Sequence, residues 1–122
     1  MNRKQTEQYI TEAYGILPDY PWIKHPSFTV FRHSHSNKWF AVIMDLPGSK
    51  FKEPCDTISV INLKCDPDII GALRLDDGIY PAYHMDKSNW ISVALDHRIE
   101  NEKLQWLIDM SFQLTNKQKK TL

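Results

Sequence analysis

The spacing of apolar residues predicts helices at the start, in the middle and at the end of the chain. Residues 3–15 repeat apolar positions with the period of an amphipathic helix, and Gly15 is a typical helix end. Near the middle, Asp66 has the properties of an N-cap and is followed by a proline, so a short helix is expected over 66–74. The last helix is expected over about 99–114, where apolar residues again recur at helical spacing.

Alternation of apolar and polar residues predicts β-strands between these helices. The strand-like segments are residues 28–33, 38–45, 57–63 and 90–96, and a further short strand is expected just before the last of these. Turn-forming residues at 34–37 join the first two segments into a hairpin. Successive strands joined by short turns favour an antiparallel sheet. We therefore expect an α+β fold with two layers, in which the helices lie on one side of the sheet.

Composition and charge limit the possible functions without selecting one. The 122 residues are expected to form a single domain over 1–122, since 42% are apolar and 25% are charged, as in ordinary globular proteins. Fifteen basic residues balance fifteen acidic ones. This balance gives no overall attraction to nucleic acids or anionic membranes, so any DNA binding requires a local basic patch.

The residues that usually carry catalysis or bind metals do not form a recognisable motif. Cys55 and Cys65 are ten positions apart and lie outside any C-x-x-C pair, so both are expected to be free thiols that are buried or half-buried. Cys65 precedes a helix start, but the neighbouring Asp66 disfavours a thiolate. The histidines lack the spacing of a zinc site, and the glycines lack that of a phosphate-binding loop. We therefore expect no metal, no cofactor and no catalytic activity.

The ends and the hydropathy of the chain suggest a cytoplasmic protein. The N-terminus is polar with no apolar segment behind it, which is unlike a signal peptide. No apolar run has the length needed to cross a bilayer, so no membrane contact is expected. We expect a monomer, with a polar C-terminal tail that frays.

Positive and aromatic residues gather near the expected strand ends and are candidates for nucleic-acid contact. These candidates are Arg32, Lys38, His84, Lys87 and Trp90. Lysine and arginine can bind phosphate, while an exposed tryptophan or histidine can stack on a base. The alternative for the strand tryptophans is a position in the core or half-buried on the sheet, which is their more frequent location.

Several stretches make the chain resemble the MmcQ/YjbR family of small bacterial proteins. Residues 21–22, 30–33 and 38–41 are similar to the extended entry, the V-F-R segment and the K-W-F-A segment of the family's front hairpin. Residues 61–67 resemble its middle strand and helix start. Residues 81–91 resemble its signature, which usually reads H-h-N-K-x-H-W, where h is apolar. The resemblance covers nearly the whole chain.

The signature is retained at three positions and changed at two. His84, Lys87 and Trp90 match it, whereas Asp86 replaces the usual asparagine and Asn89 replaces the usual histidine. An acid beside Lys87 offsets part of its positive charge, which weakens the expectation that this segment binds phosphate.

The resemblance implies a CyaY-like α+β fold and a DNA-binding function without catalysis. In this reading, Lys87 and Arg32 contact the phosphate backbone, and His84 and Trp90 lie on the same face. One alternative is a protein-interaction module that uses the sheet face or an exposed aromatic patch. Another is a small-molecule site around Tyr80, Tyr83, His84 and Trp90.

Overall fold

The computed structural model describes residues 1–116, and the expected fraying tail with Lys117, Lys119 and Lys120 lies outside them. The helices are α1 (Arg3–Tyr14), α2 (Pro67–Leu73) and α3 (Asn101–Thr115). The strands are β1 (Thr29–Arg32), β2 (Trp39–Pro47), β3 (Thr57–Lys64), β4 (Ile79–Pro81) and β5 (Trp90–Ala94). A 3-10 turn, Gly48–Phe51, follows β2. Each predicted element is present, with small shifts at its ends.

The sheet has five strands in the order β1-β2-β3-β5-β4, and every neighbouring pair is antiparallel. This arrangement confirms the predicted α+β fold with an antiparallel sheet. The pairing between β1 and β2 shifts by one residue between Phe31 and Arg32, which is a β-bulge. After the bulge, Arg32 pairs with Trp39.

All three helices pack on one face of the sheet, as the sequence predicted. Their buried residues meet the inward residues of the strands in one core. The strands contribute Phe31, Ala41, Ile43, Ile61, Leu63, Ile91 and Val93, and the helices contribute Ile10, Ile70, Leu73, Leu104, Leu107 and Ile108. Burying this much apolar surface is the main favourable contribution to the stability of the domain.

Loops rather than helices cover the opposite face. Its strand residues form a second apolar cluster that comprises Val30, Val42, Met44, Leu46, Ile58, Val60 and Ala94. Half-buried aromatic side chains from the loops pack on this cluster, among them Trp22, Phe28, Phe51 and Tyr83. We call this side of the sheet the loop face. The strand residues of the cluster are buried, whereas the aromatic side chains that cover them are only partly buried.

Local capping agrees with the sequence at most helix ends. Gly15 has φ +66° at the end of α1, a left-handed conformation that glycine adopts without strain. The Asp66 carboxylate accepts a hydrogen bond from the backbone of Asp68 and caps α2. Helix α3 starts after Glu100, which makes no side-chain cap bond. Asn101 instead accepts a hydrogen bond of 2.7 Å from the amino group of Met1.

Candidate functional site

The loop face contains a cleft of about 300 Å³. It is lined by Trp22, His25, Phe28, Trp39, Val42, Met44, Asn62, Tyr83, His84 and Met85. The floor comes from neighbouring strands β2 and β3, and the walls come from the 17–28 and 82–90 loops. Most of the lining is apolar or aromatic, with a few polar groups, which is the usual composition of a ligand site.

Perpendicular aromatic rings form one corner of the cleft. The ring of Trp22 meets that of Trp39 at 5.5 Å and 83°, and that of Phe28 at 6.0 Å and 82°. His25 stacks on Phe28 with ring centres 4.7 Å apart. Such edge-to-face pairs are favourable geometries, so the rings hold each other in place. The corner is therefore rigid although three of its four rings come from a loop.

A buried hydrogen-bond network fixes the other wall. The Ser92 hydroxyl donates to Asn62 Oδ1 (2.5 Å), and Asn62 Nδ2 donates to the Tyr83 carbonyl (2.9 Å). The Tyr83 backbone N–H in turn donates to Ser92 Oγ (2.9 Å). Asn62 and Ser92 face each other across β3 and β5 and are 1% and 0% exposed. The three residues therefore close a ring of bonds that sets the position of the 82–90 loop.

The 82–90 loop turns sharply just after this anchor. His84 has φ +55°, an unusual conformation for a non-glycine residue, and its ring lies 4.1 Å from that of Tyr83. Further along, Asp86 Oδ2 accepts a bond of 2.7 Å from the Asn89 side chain, and Asp86 Oδ1 accepts one of 2.9 Å from the Ser88 backbone. These bonds hold the pKa of Asp86 below its usual range.

The predicted candidates in the first hairpin differ in their environment. The Arg32 guanidinium pairs with Asp19 at 2.5 Å and lies 6.0 Å from the centre of the Trp39 ring. Its charge is therefore largely matched, and it supports a wall of the cleft. Lys38, next to Trp39, is exposed on the hairpin turn.

The candidates in the signature lie around the same face. His84 lines the cleft, and Lys87 is exposed three residues further along the loop. Trp90 is half-buried, and alternation along β5 places it on the face shared by Ser92. The structure thus brings His84 to the cleft and places Trp90 on the same face, but Trp90 does not line the cleft.

Three positions on the loop face were not among the candidates selected from the sequence. Lys64 is the register partner of Trp90 and adds a cation to the loop face. Asn62 and Ser92 carry the network; Asn62 follows the apolar Ile58 and Val60 on its face of β3, and Ser92 lies between Trp90 and Ala94 on its face of β5. A buried polar residue in such a strand is a usable signal, because it must find a partner.

The environments of the two thiols and of the buried His33 do not favour the roles of nucleophile and general base. Burial, reinforced by Asp66, raises the pKa of Cys65 to about 11. Cys55 is exposed, contrary to the expectation, because it lies in an irregular segment outside the core. Burial also lowers the pKa of His33, whose Nε2 lies 2.7 Å from the Thr115 hydroxyl.

Two further observations concern the described residues, 1–116. Within them, no group of three or more histidine, cysteine or acidic side chains is placed to hold a metal ion. The same part of the chain has no helix with the length and apolar character required to cross a membrane.

The fold and the cleft together define a small two-layer α+β domain with helices on one face of its sheet and an aromatic cleft on the other. Comparison with known families places it more closely: the chain belongs to the YjbR family, whose model matches residues 11–114. The Bacillus subtilis protein YyaQ is 39% identical over 116 residues, which are 94% of this chain and 98% of YyaQ. The Escherichia coli protein YbdF is 35% identical over 76% of this chain and 68% of its own length.

Solved structures agree with this assignment. A Pseudomonas syringae protein known from a crystal structure is 45% identical with a TM-score of 0.92, covering 95% of this chain and 100% of that one. A Deinococcus radiodurans protein with a DUF419 domain has a TM-score of 0.74 at 23% identity, covering 98% of this chain and 82% of that one. The second comparison supports the fold alone.

Proposed function

We propose that the protein is a nucleic-acid-binding module without catalytic activity, and that it binds through its loop face. The observation that carries the proposal is the aromatic cleft with cationic residues around it on the same face. Aromatic rings offer stacking surfaces for bases, and lysines offer contacts to phosphates. The proposal keeps the function expected from the sequence but moves its centre from the signature loop to the cleft.

The lysines around the cleft are the phosphate contacts in this proposal. Lys38 and Lys87 are exposed on the hairpin turn and on the signature loop, and Lys64 is partly exposed beside Trp90. Arg32 has a different role, because Asp19 already occupies its guanidinium. We assign Arg32 to holding Trp39 in position rather than to binding phosphate.

Charge is segregated along the chain although the total is zero. Eight of the fifteen acidic residues lie within 66–77 and 96–109, around α2 and α3. Segments 17–44 and 80–94 supply most of the cleft and contain only two acids, Asp19 and Asp86, against four basic residues. This local excess of basic residues in the segments that form the cleft supports weak, salt-dependent binding of a polyanion.

The absence of catalysis is also a proposal, and it is supported by the state of the thiols. A thiol whose pKa is raised to about 11 is almost entirely protonated at neutral pH, so Cys65 is a poor nucleophile. Within residues 1–116, the side chain of the exposed Cys55 makes no hydrogen bond to a histidine or a hydroxyl group.

A titration of labelled DNA against the protein tests the proposal. Fluorescence anisotropy with single-stranded and duplex DNA should show binding at low salt that weakens as salt is added. Lys87→Ala and Lys38→Ala should each weaken binding and reduce the salt slope by about 0.7 on a single strand. Lys4→Ala is the matched control, since Lys4 is an exposed lysine on α1. No binding at low salt, or equal losses in all three variants, would contradict the proposal.

A second candidate function, protein interaction, has its own observation. The loop between α1 and β1 exposes Leu17 (77%), Tyr20 (56%) and Ile23 (98%). Exposed apolar side chains close together in one loop are typical of an interaction surface. Light scattering after size exclusion can test self-association: we expect a monomer for both the wild type and Ile23→Lys. A dimer that Ile23→Lys dissociates would favour protein interaction instead.

A further inference from the structure

We infer that the cleft binds one planar heteroaromatic ring, as in a nucleobase. The ring can belong to a nucleotide in a single strand or to a free nucleotide. The first case rests on the proposed function, and the second does not.

The shape of the cleft suits a single flat ring system. Its volume of about 300 Å³ is at the small end of ligand pockets, which span about 300–1,000 Å³. The indole rings of Trp22 and Trp39 stand at 83° to each other, so a flat ligand can stack on one and meet the edge of the other. Both rings are held by neighbours, which reduces the ordering cost of binding.

Asn62 supports the floor of the cleft rather than presenting a free polar edge. Its side chain is 1% exposed, and both of its polar atoms are engaged: Nδ2 donates to the Tyr83 carbonyl and Oδ1 accepts from the Ser92 hydroxyl. Recognition of the ligand therefore falls to the aromatic rings that line the cleft, on which a flat ring can stack.

A purely aliphatic ligand fits these walls less well than a base. Such a ligand would fill the apolar part of the cleft but would not stack on the indole rings of Trp22 and Trp39. The surroundings also favour an anionic group attached to the ring. His25 and His84 line the cleft, and Lys38 is next to Trp39 in the chain. A base that carries a phosphate satisfies both parts of the site.

Tryptophan fluorescence can test the inference with three probes. These are a short single-stranded DNA, an abasic oligonucleotide of the same length, and adenosine monophosphate. We expect the base-bearing DNA to quench the emission and to bind about tenfold more tightly than the abasic one. Adenosine monophosphate should quench with lower affinity, since it makes fewer phosphate contacts.

Single variants distinguish binding in the cleft from binding elsewhere on the surface. Trp22→Leu should weaken the base-bearing probes about tenfold and leave the abasic one unchanged. Trp106→Leu is the matched control, because Trp106 is a half-exposed tryptophan on α3.

The outcomes distinguish this inference from the proposed function. Equal affinity for the base-bearing and abasic oligonucleotides overturns the inference and leaves the nucleic-acid function intact. Binding of adenosine monophosphate without binding of either oligonucleotide supports the ring site and overturns the nucleic-acid function. Binding of none of the three probes overturns both.

Discussion

The network that anchors the signature loop gives the sharpest prediction, through the variant Ser92→Ala. The Ser92 hydroxyl is fully buried and has two partners: it donates to Asn62 Oδ1 and accepts from the backbone N–H of Tyr83. Alanine fits the same space because only one oxygen is removed. The change therefore isolates the hydrogen bonds from the packing of β5.

The expected cost follows from what the substitution leaves behind. Asn62 Oδ1 loses its donor at a site that is 1% exposed, whereas Tyr83 is partly exposed and water can replace its lost acceptor. An unsatisfied buried polar group costs about 1–3 kcal/mol, so we expect the free energy of unfolding to fall by about 2 kcal/mol. At about 4 °C per kcal/mol for a domain of this size, the Tm should fall by roughly 8 °C.

Urea denaturation followed by circular dichroism measures this loss. Ser34→Ala is the matched control, since Ser34 is an exposed serine on the hairpin turn, and it should change stability by less than about 0.5 kcal/mol. A double variant with Asn62→Val should cost less than the sum of the two single changes, because both buried polar partners are then removed together. A loss of less than about 0.5 kcal/mol in Ser92→Ala, or simple additivity in the double variant, would refute the reasoning.

Three further predictions concern other parts of the molecule. Arg98→Ala should lower the urea midpoint more than Lys4→Ala does, because the Arg98 guanidinium contacts three carboxylates within 3.0 Å; an equal effect would show that the contacts are replaced by water. In the native protein a thiol reagent should label Cys55 quickly and Cys65 only after urea is added, and simultaneous labelling of both would contradict the burial of Cys65. Since hydrogen bonds hold the folded-state pKa of Asp86 low, its contribution to stability is present above its unfolded pKa near 3.8 and is lost as the pH falls through the folded value. The difference in urea midpoint between the wild type and Asp86→Asn should therefore shrink below about pH 4, and a difference that is constant with pH would count against it.

The layout of the sheet could be predicted from the sequence because it depends on local signals. Alternation in β3 already separates Ile58 and Val60 from Ile61 and Leu63, and the structure places these pairs in the two opposite cores. The cap at Asp66 follows equally from the residues around it. Each of these features is set by neighbours within a few positions, so no knowledge of tertiary contacts is needed.

The cleft could not be predicted in this way, since it depends on contacts between distant segments. Trp22 and Trp39 meet only because the loop before β1 folds back over the hairpin, where Asp19 pairs with Val30. The partner of Asn62 is set by the register of β3 against β5, and single residues in the two strands do not reveal that register. Of the five candidates selected from the sequence, the structure therefore places only His84 in the lining of the cleft.

The two residues that depart from the family signature, Asp86 and Asn89, are hydrogen-bonded to each other in the structure. The Asp86 carboxylate accepts from the Asn89 side chain and from the Ser88 backbone, so the changed residues form one hydrogen-bonded turn. Aspartate and asparagine both supply the side-chain oxygen that such a turn requires. Either residue at position 86 therefore allows the same loop shape, but aspartate and asparagine differ in charge. Asp86 introduces a negative charge beside Lys87. Under the proposed function, phosphate contact from this loop should therefore be weaker than with an asparagine, and Lys38 and Lys64 should contribute more to binding.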